Sequence, residues 1–270
     1  MSHQIRHPGP RTEPRRHVVE GYARPVTLSL PQGAVLMQAV AAAMDGTGAD
    51  CAVLTMDGVE MGPFRFVMPD RSRDGKHAAW YSETHNGTHA RIRHGTAIIG
   101  RRDGAWWLHC HAVWEGPEGI AAGHLLPDEV TLAAAADLPA MVFSGGTYDV
   151  TYDEETNFSF FRPRATRPPE TVNAAIATLA PFEDLTAAVA EIATAPGFDH
   201  VAGIGSLIGA QFLDAPPMAS PISEVLLLPG ASPGKPLPTF CVDPAGARFE
   251  GHLPPGAAPI CVTFEMMLWR

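Results

Sequence analysis

The feature that most constrains this chain is the run Trp107-Leu108-His109-Cys110-His111-Ala112-Val113, followed by a short acidic, glycine-containing connection and then Gly123-His124-Leu125. Successive side chains on a strand alternate between faces, so His109 and His111 point the same way. The segment reads as a hairpin with its turn centred on Pro117-Glu118, and that register sets His111 directly opposite His124. Directly opposed residues share a face, and His109 then lies diagonal to His124. Three imidazoles therefore converge from two neighbouring strands. Three histidines with an open fourth position form the arrangement of catalytic rather than structural zinc, so His109, His111 and His124 are the candidate metal ligands and Zn2+ the expected ion. The alternative is a polar cluster in a subunit interface. A lone histidine on a strand is usually a hydrogen-bonded core residue, but three on one face crowd when neutral and repel when charged.

The 270 residues suffice for two modest domains, and a 46% hydrophobic composition supplies ample core. The formal charge of -10 leaves no global attraction to phosphate backbones, which makes nucleic acid an unlikely partner. The dense basic patch at the start, Arg6, Arg11, Arg15 and Arg16, reads as part of a flexible tail over residues 1–20. No apolar run approaches the roughly 20 residues of a membrane helix. Cys51, Cys110, Cys241 and Cys261 lack CxxC spacing and no apolar leader precedes them, which points to a reduced, cytoplasmic setting.

Along the chain, Val26 to Leu30 alternates as a strand, Ala34 to Met44 reads as a short helix, and Cys51 to Thr55 and Met61 to Met68 read as strands. Residues 70–95 are polar and turn-rich. Thr96 to Gly100 and Trp106 to Trp114 pair across the Arg101-Arg102-Asp103-Gly104 turn. The second half repeats these kinds of element in order: Phe158 to Phe161 as a strand, a helical pattern over Thr171 to Ile192 broken at Pro181, then strands at Val201 to Leu207, Glu224 to Leu228, Thr239 to Val242, Gly251 to Leu253 and Ile260 to Leu268. The shared Gly-His-Leu, at residues 123–125 and 251–253, makes internal duplication the economical reading, with the boundary in Gly145 to Asn157. Aligned on that tripeptide, His109 and His111 correspond to Thr239 and Cys241, so the second copy keeps one histidine of three and its site reads as degenerate.

His109-Cys110-His111-Ala112, the acidic turn, Ala122-Gly123-His124-Leu125 and Glu129-Val130 resemble the PPC (plants and prokaryotes conserved) domain. In the second half, Pro181-Phe182-Glu183-Asp184-Leu185 and Gly203-Ile204-Gly205-Ser206-Leu207-Ile208-Gly209-Ala210 look like that family's early helix and Gly-Ser-Leu strand. The resemblance covers most of residues 25–143 and 158–268. It implies an α+β fold of two PPC-like domains, at 21–145 and 150–270, each a mostly antiparallel sheet packed by helix. It also implies trimer-type homo-oligomers and a zinc site on the three matching histidines. The family's DNA-binding label travels with AT-hook motifs, and no Arg-Gly-Arg-Pro hook occurs in this chain.

Glu83, His85 and His89 are candidate acid or base groups on a loop over the metal, against the plainer reading of a solvated surface loop. Arg162 and Arg164 are candidates for gripping a substrate carboxylate. Gly203 to Gly209 lacks the GxGxxG spacing of a nucleotide loop, and neither a GxSxG elbow nor a CxxC pair occurs. The main expectation is a zinc-dependent hydrolase or lyase acting on a small carbonyl- or carboxylate-containing metabolite. The alternative is a non-catalytic regulatory or DNA-associated PPC protein in which the metal or the histidines organise assembly.

Overall fold

In the computed structural model, which describes residues 5–270, the first half of the chain runs β1 (Arg16–Leu30), α1 (Leu36–Asp45), β2 (Cys51–Thr55), β3 (Glu60–Val67), the short β4 (Pro69–Asp70), β5 (Trp80–Tyr81) and β6 (His85–Gly87), then β7 (Ala90–Arg102), β8 (Ala105–Gly116), β9 (Gly119–Leu132) and β10 (Ala136–Ser144). A hairpin of β11 (Gly146–Tyr152) and β12 (Ser159–Ala165) follows. The second half runs β13 (Ala174–Leu179), α2 (Leu185–Thr194), β14 (His200–Leu207), β15 (Glu224–Leu227), β16 (Leu237–Val242), β17 (Arg248–Leu253) and β18 (Ile260–Trp269). The expected α+β class, a mostly antiparallel sheet packed by helix, is what these elements form.

Sixteen strands join one sheet, and β4 pairs with β5 apart from it. From the middle outward the order is β1-β10-β2-β7-β8-β9 on one side and β13-β18-β14-β15-β16-β17 on the other, so the two halves follow the same path. β1 joins them. Residues 22–30 pair with β10 of the first half, and residues 16–21 pair with β13 of the second. Where the strand passes from one partner to the other stands Gly21, and a Cβ there would meet Ser144 O and the Phe143 ring, each at 2.4 Å.

Much of the expected flexible tail is therefore strand or anchored arm. Arg16 to Glu20 are in β1, and buried Arg15 is ion-paired with buried Glu155 and donates to Pro181 O. Residues 1–4 of that tail lie outside the described residues. The expected boundary, Gly145 to Asn157, likewise contains β11, whose Tyr148 is fully buried.

A second correction concerns Thr171 to Ile192. The Ala-rich stretch Ala174–Leu179 is not helical: it is strand β13, buried along its whole length between β1 and β18. Alanine's helix propensity is a weak prior beside a slot in the sheet. The helix forms only after Pro181, at α2, where Ala187 N–H donates to the Asp184 carboxylate at 2.9 Å. α1 lies close to its expected place and buries Leu36, Val40 and Met44.

Each half carries its helix on one sheet face. In β2, Ala52 and Leu54 join the core under α1, while Cys51 and Val53 join a different core. That second core draws residues from both halves, Ile98, Val113 and Phe143 from one and Ile204, Leu226 and Met267 from the other, together with Tyr148 and Phe161 of the hairpin. Fully burying a side chain such as Phe143 or Phe161 contributes about 1.5–3 kcal/mol. The helix-free faces are thus closed against each other. Gly100 of β7 admits the hairpin, since a Cβ there would lie 2.5 Å from Tyr148 O. The four cysteines are free and buried, and among the described residues no helix is long and apolar enough to cross a membrane.

Candidate metal centre

β8 and β9 pair in the register expected from the turn. Gly116 faces Gly119 at the turn, and His111 faces His124. Alternation sends Leu108, Cys110 and Ala112 into the core under α1, so His109 and His111 point to the seam between the halves. The three rings meet there. Their centroids are 4.7 Å apart for His109 and His111, 4.8 Å for His109 and His124, and 5.3 Å for His111 and His124. One ring nitrogen of each lies within 4.8 Å of the others, a grouping that could hold a metal ion.

The second half grips the far side of two rings. His109 Nδ1 is 2.7 Å from a Glu265 carboxylate oxygen, and His111 Nδ1 is 2.8 Å from Val225 O. Both partners only accept, so both Nδ1 atoms carry hydrogen, and in the neutral rings the Nε2 lone pairs turn inward. Those Nε2 atoms are 3.0 Å apart. Glu224 Oε2 lies 2.7 Å from His111 Nε2. His124 Nδ1 is buried without a hydrogen-bond partner. The other Glu265 oxygen accepts from Phe161 N–H at 3.0 Å, which ties the carboxylate to the β11–β12 hairpin.

The residues present fit a cation. Inward lone pairs on His109 and His111, a carboxylate beside them and an orphaned imidazole nitrogen repel one another unless something positive lies between. Partners that orient ligand imidazoles through the outer nitrogen are a regular part of metal sites. Electrostatics agree. Burial, then the neighbouring His109 and His111, drives the His124 pKa far below its ordinary value. Burial also opposes charge on His109, but the carboxylates of Glu265 and Glu224 outweigh it and raise its pKa. Burial, reinforced by the same two carboxylates, raises the pKa of Tyr81, whose ring meets His124 edge-on at 5.2 Å. The group opens on a cavity of about 370 Å³ walled by residues of both halves and the hairpin, among them Tyr81, Trp107, Phe160 and Val262.

The other sequence candidates stand elsewhere. Glu83 is exposed, and His85 on β6 is exposed and stacked on Phe66 at 5.1 Å. His89 is exposed with its Nε2 3.6 Å from Glu60. None of the three lines the cavity. β6 pairs with β3 at the sheet edge and carries residues 83–89 away from the seam, while Ala79, Trp80 and Tyr81 just before them line the wall. Arg162 is paired with Asp153 and Arg164 with Asp149, and neither lines the cavity. Sequence reading missed Glu224 and Glu265. Their signal was a carboxylate within an otherwise apolar strand, most plainly Glu265, 0% exposed in a strand buried along nearly its whole length.

In the second half the expected alignment shifts. His252 faces Pro238, and Cys241 faces Phe249. His252 is exposed and bonded to Asp214 at 2.7 Å, while Thr239 turns its hydroxyl to Leu237 O. Among the described residues no second metal-type grouping forms there.

No protein-family model and no curated protein matches the chain. Several solved structures do. A protein of Ralstonia eutropha, provisionally described as DNA-binding, matches at 15% identity and a TM-score of 0.41, over 50% of this chain and 88% of its own. The metal-containing protein AF0104 of Archaeoglobus fulgidus matches at 16% identity and 0.40, over 53% and 94%. A plant- and prokaryote-conserved (PPC) protein of Pyrococcus horikoshii matches at 13% identity and 0.39, over 55% and 96%. Two expectations are corrected on this finding. The main expectation, a zinc-dependent hydrolase or lyase with a small-molecule substrate, is not backed by these neighbours, which are described as DNA-binding, metal-containing or PPC proteins and none of them as an enzyme; their descriptions run with the non-catalytic alternative. The expectation that nucleic acid is an unlikely partner likewise runs against the description of the Ralstonia eutropha neighbour as DNA-binding. It rested on net charge, which says nothing about a local surface.

Proposed function

We propose that this chain is a non-catalytic regulatory protein built of two PPC-like copies, in which His109, His111 and His124 hold a divalent metal that fastens the copies together. The common strand path of the halves supports the duplication. The observation that carries the metal reading is the inward convergence of the His109 and His111 Nε2 atoms, 3.0 Å apart, with both outer nitrogens already engaged by the second half. Three imidazoles favour zinc among the common divalent ions. When bound, the ion would supply positive charge between groups that otherwise repel. The chain's own part is to orient the rings and bring carboxylates of the second half to histidines of the first.

Metal analysis of the purified chain tests this. One zinc per chain is expected, and His109→Ala with His111→Ala should abolish it; a double variant that keeps stoichiometric metal would sink the assignment. Association with DNA, the description given to the Ralstonia eutropha neighbour, would need local basic surface such as exposed Arg91 and Arg93, because the net charge of -10 gives no global attraction. Its check is duplex binding at physiological salt.

A further inference from the structure

We infer that Glu224, from the second half, is the fourth ligand of this metal, so that the protein itself closes the centre and the ion clasps one half to the other. The inference rests on the reading of the three histidines as a metal site. It goes beyond that reading in assigning the fourth position, which three histidines alone leave to water.

The placement of Glu224 is specific. Its residue begins β15, held on one side by β14 and on the other by β16, where Glu224 itself faces Val242. Just before it, buried Ser223 bonds both the backbone N–H and the carbonyl of Leu207, at 3.1 Å each. Just after it, Val225 O takes the outer N–H of His111. Two consecutive residues of one rigid strand thus address the two nitrogens of a single imidazole: the backbone of Val225 fixes Nδ1, and the carboxylate of Glu224 meets Nε2 at 2.7 Å.

That contact needs a positive partner. With Nδ1 of His111 already donating, a neutral ring offers Nε2 only as a lone pair, which meets His109 Nε2 at 3.0 Å with the Glu224 carboxylate oxygen beside it at 2.7 Å. A single proton between the Nε2 atoms of His109 and His111 would serve that pair but leave the Glu224 contact unserved and His124 Nδ1 orphaned. A divalent ion serves all of them. It also balances the charge: Glu224 and Glu265, with 11% and 1% of their side chains exposed, bring two negative charges to the histidines, and one divalent ion cancels both. Buried charges persist when paired or bound to metal. Four protein ligands around zinc is the closed form that structural centres use.

Co2+ is the probe, added to the full-length chain after chelator treatment. Wild type should bind one Co2+ with the visible spectrum of a four-coordinate ion, unmoved by added azide because no position is open. Glu224→Ala should weaken Co2+ binding about 10–100-fold, the scale seen when groups supporting a metal site are lost, and its spectrum should move on adding azide. Glu224→Gln, which preserves shape, should change in the same direction and carries the test if the alanine variant does not fold. Both variants binding Co2+ within about threefold of wild type, a difference under 1 kcal/mol, would overturn the assignment of Glu224. So would an azide response in wild type itself. If instead the His109→Ala, His111→Ala protein binds Co2+ as wild type does, the three-histidine reading has failed.

Discussion

Glu224, Glu265 and Glu155 are carboxylates in places where water is scarce, and each is tolerated because a specific partner meets it. For Glu265 the partners are His109 and Phe161 N–H, and for Glu155 they are Arg15 and Thr12. Both Arg15 and Glu155 are buried. Removing one member of a buried pair strands the other, so Glu155→Ala should cost about 3–5 kcal/mol in a urea unfolding curve. The pH dependence has a definite sign. Burial alone would raise the Glu155 pKa, but the Arg15 guanidinium and the Thr12 backbone and hydroxyl hold it below the ordinary carboxylate value. The pair's stabilisation should therefore be fully present above about pH 4.3, the unfolded value, and lost as pH falls through the depressed folded value. Glu155→Gln should flatten that part of the stability profile; an unchanged acid limb would refute the pairing. At this scale the histidines were legible and their partners were not. His109, His111 and His124 lie within 16 residues, inside one hairpin whose period-two alternation and turn decide who faces whom. Glu265 lies 156 residues from His109, and only tertiary docking brings them together.

Single elements show where local pattern governs and where packing takes over. The helix α2 begins where its sequence says it should, because Pro181 ends what precedes it and Asp184 supplies an N-cap. The Asp184 carboxylate accepts from Ala187 N–H at 2.9 Å and also from Ala258 N–H at 3.1 Å, so it fastens the helix to the loop before β18. Asp184→Ala should lower stability by about 1–2 kcal/mol, the upper part of the range for a lost N-cap, while Asp184→Asn should recover most of it. Thermal melts of the two variants decide this, and equal losses would mean that the charge rather than the cap matters. β13 is the opposite case. Its alanines would suit a helix, yet they form a strand because β1 and β18 offer hydrogen bonds on both edges and small side chains fit a slot buried on both faces. β1 could be read only in part, since Val26 to Leu30 alternates while residues 16–21 owe their strand to a partner from the second half.

At the scale of the molecule, the two halves share one sheet, one seam core and the candidate metal centre. They follow the same strand path, but neither is self-contained: β1 supplies an edge to each, and β11–β12 supplies Tyr148 and Phe161 to the core between them. A fragment beginning at residue 158 should consequently fail to form a monomeric, cooperatively melting domain, because it leaves the edge of fully buried β13 without β1, and an open apolar strand edge invites association. Size-exclusion chromatography and a melting curve test this; a monomeric fragment with a sharp transition would show that the second half folds alone.

The amino-acid sequence by itself determined the histidine hairpin and its register and most of the strands, because these follow from alternation and turn chemistry among near neighbours; the α+β class was what the resemblance to the PPC domain implied. Tertiary structure alone decided that β13 is a strand, that the N-terminal arm is anchored, that Glu83, His85 and His89 lie away from the seam, and that Glu224 and Glu265 meet the histidines. Those outcomes depend on contacts between segments far apart in the chain, whose partners are chosen by the burial of whole faces rather than by any pattern within a single segment.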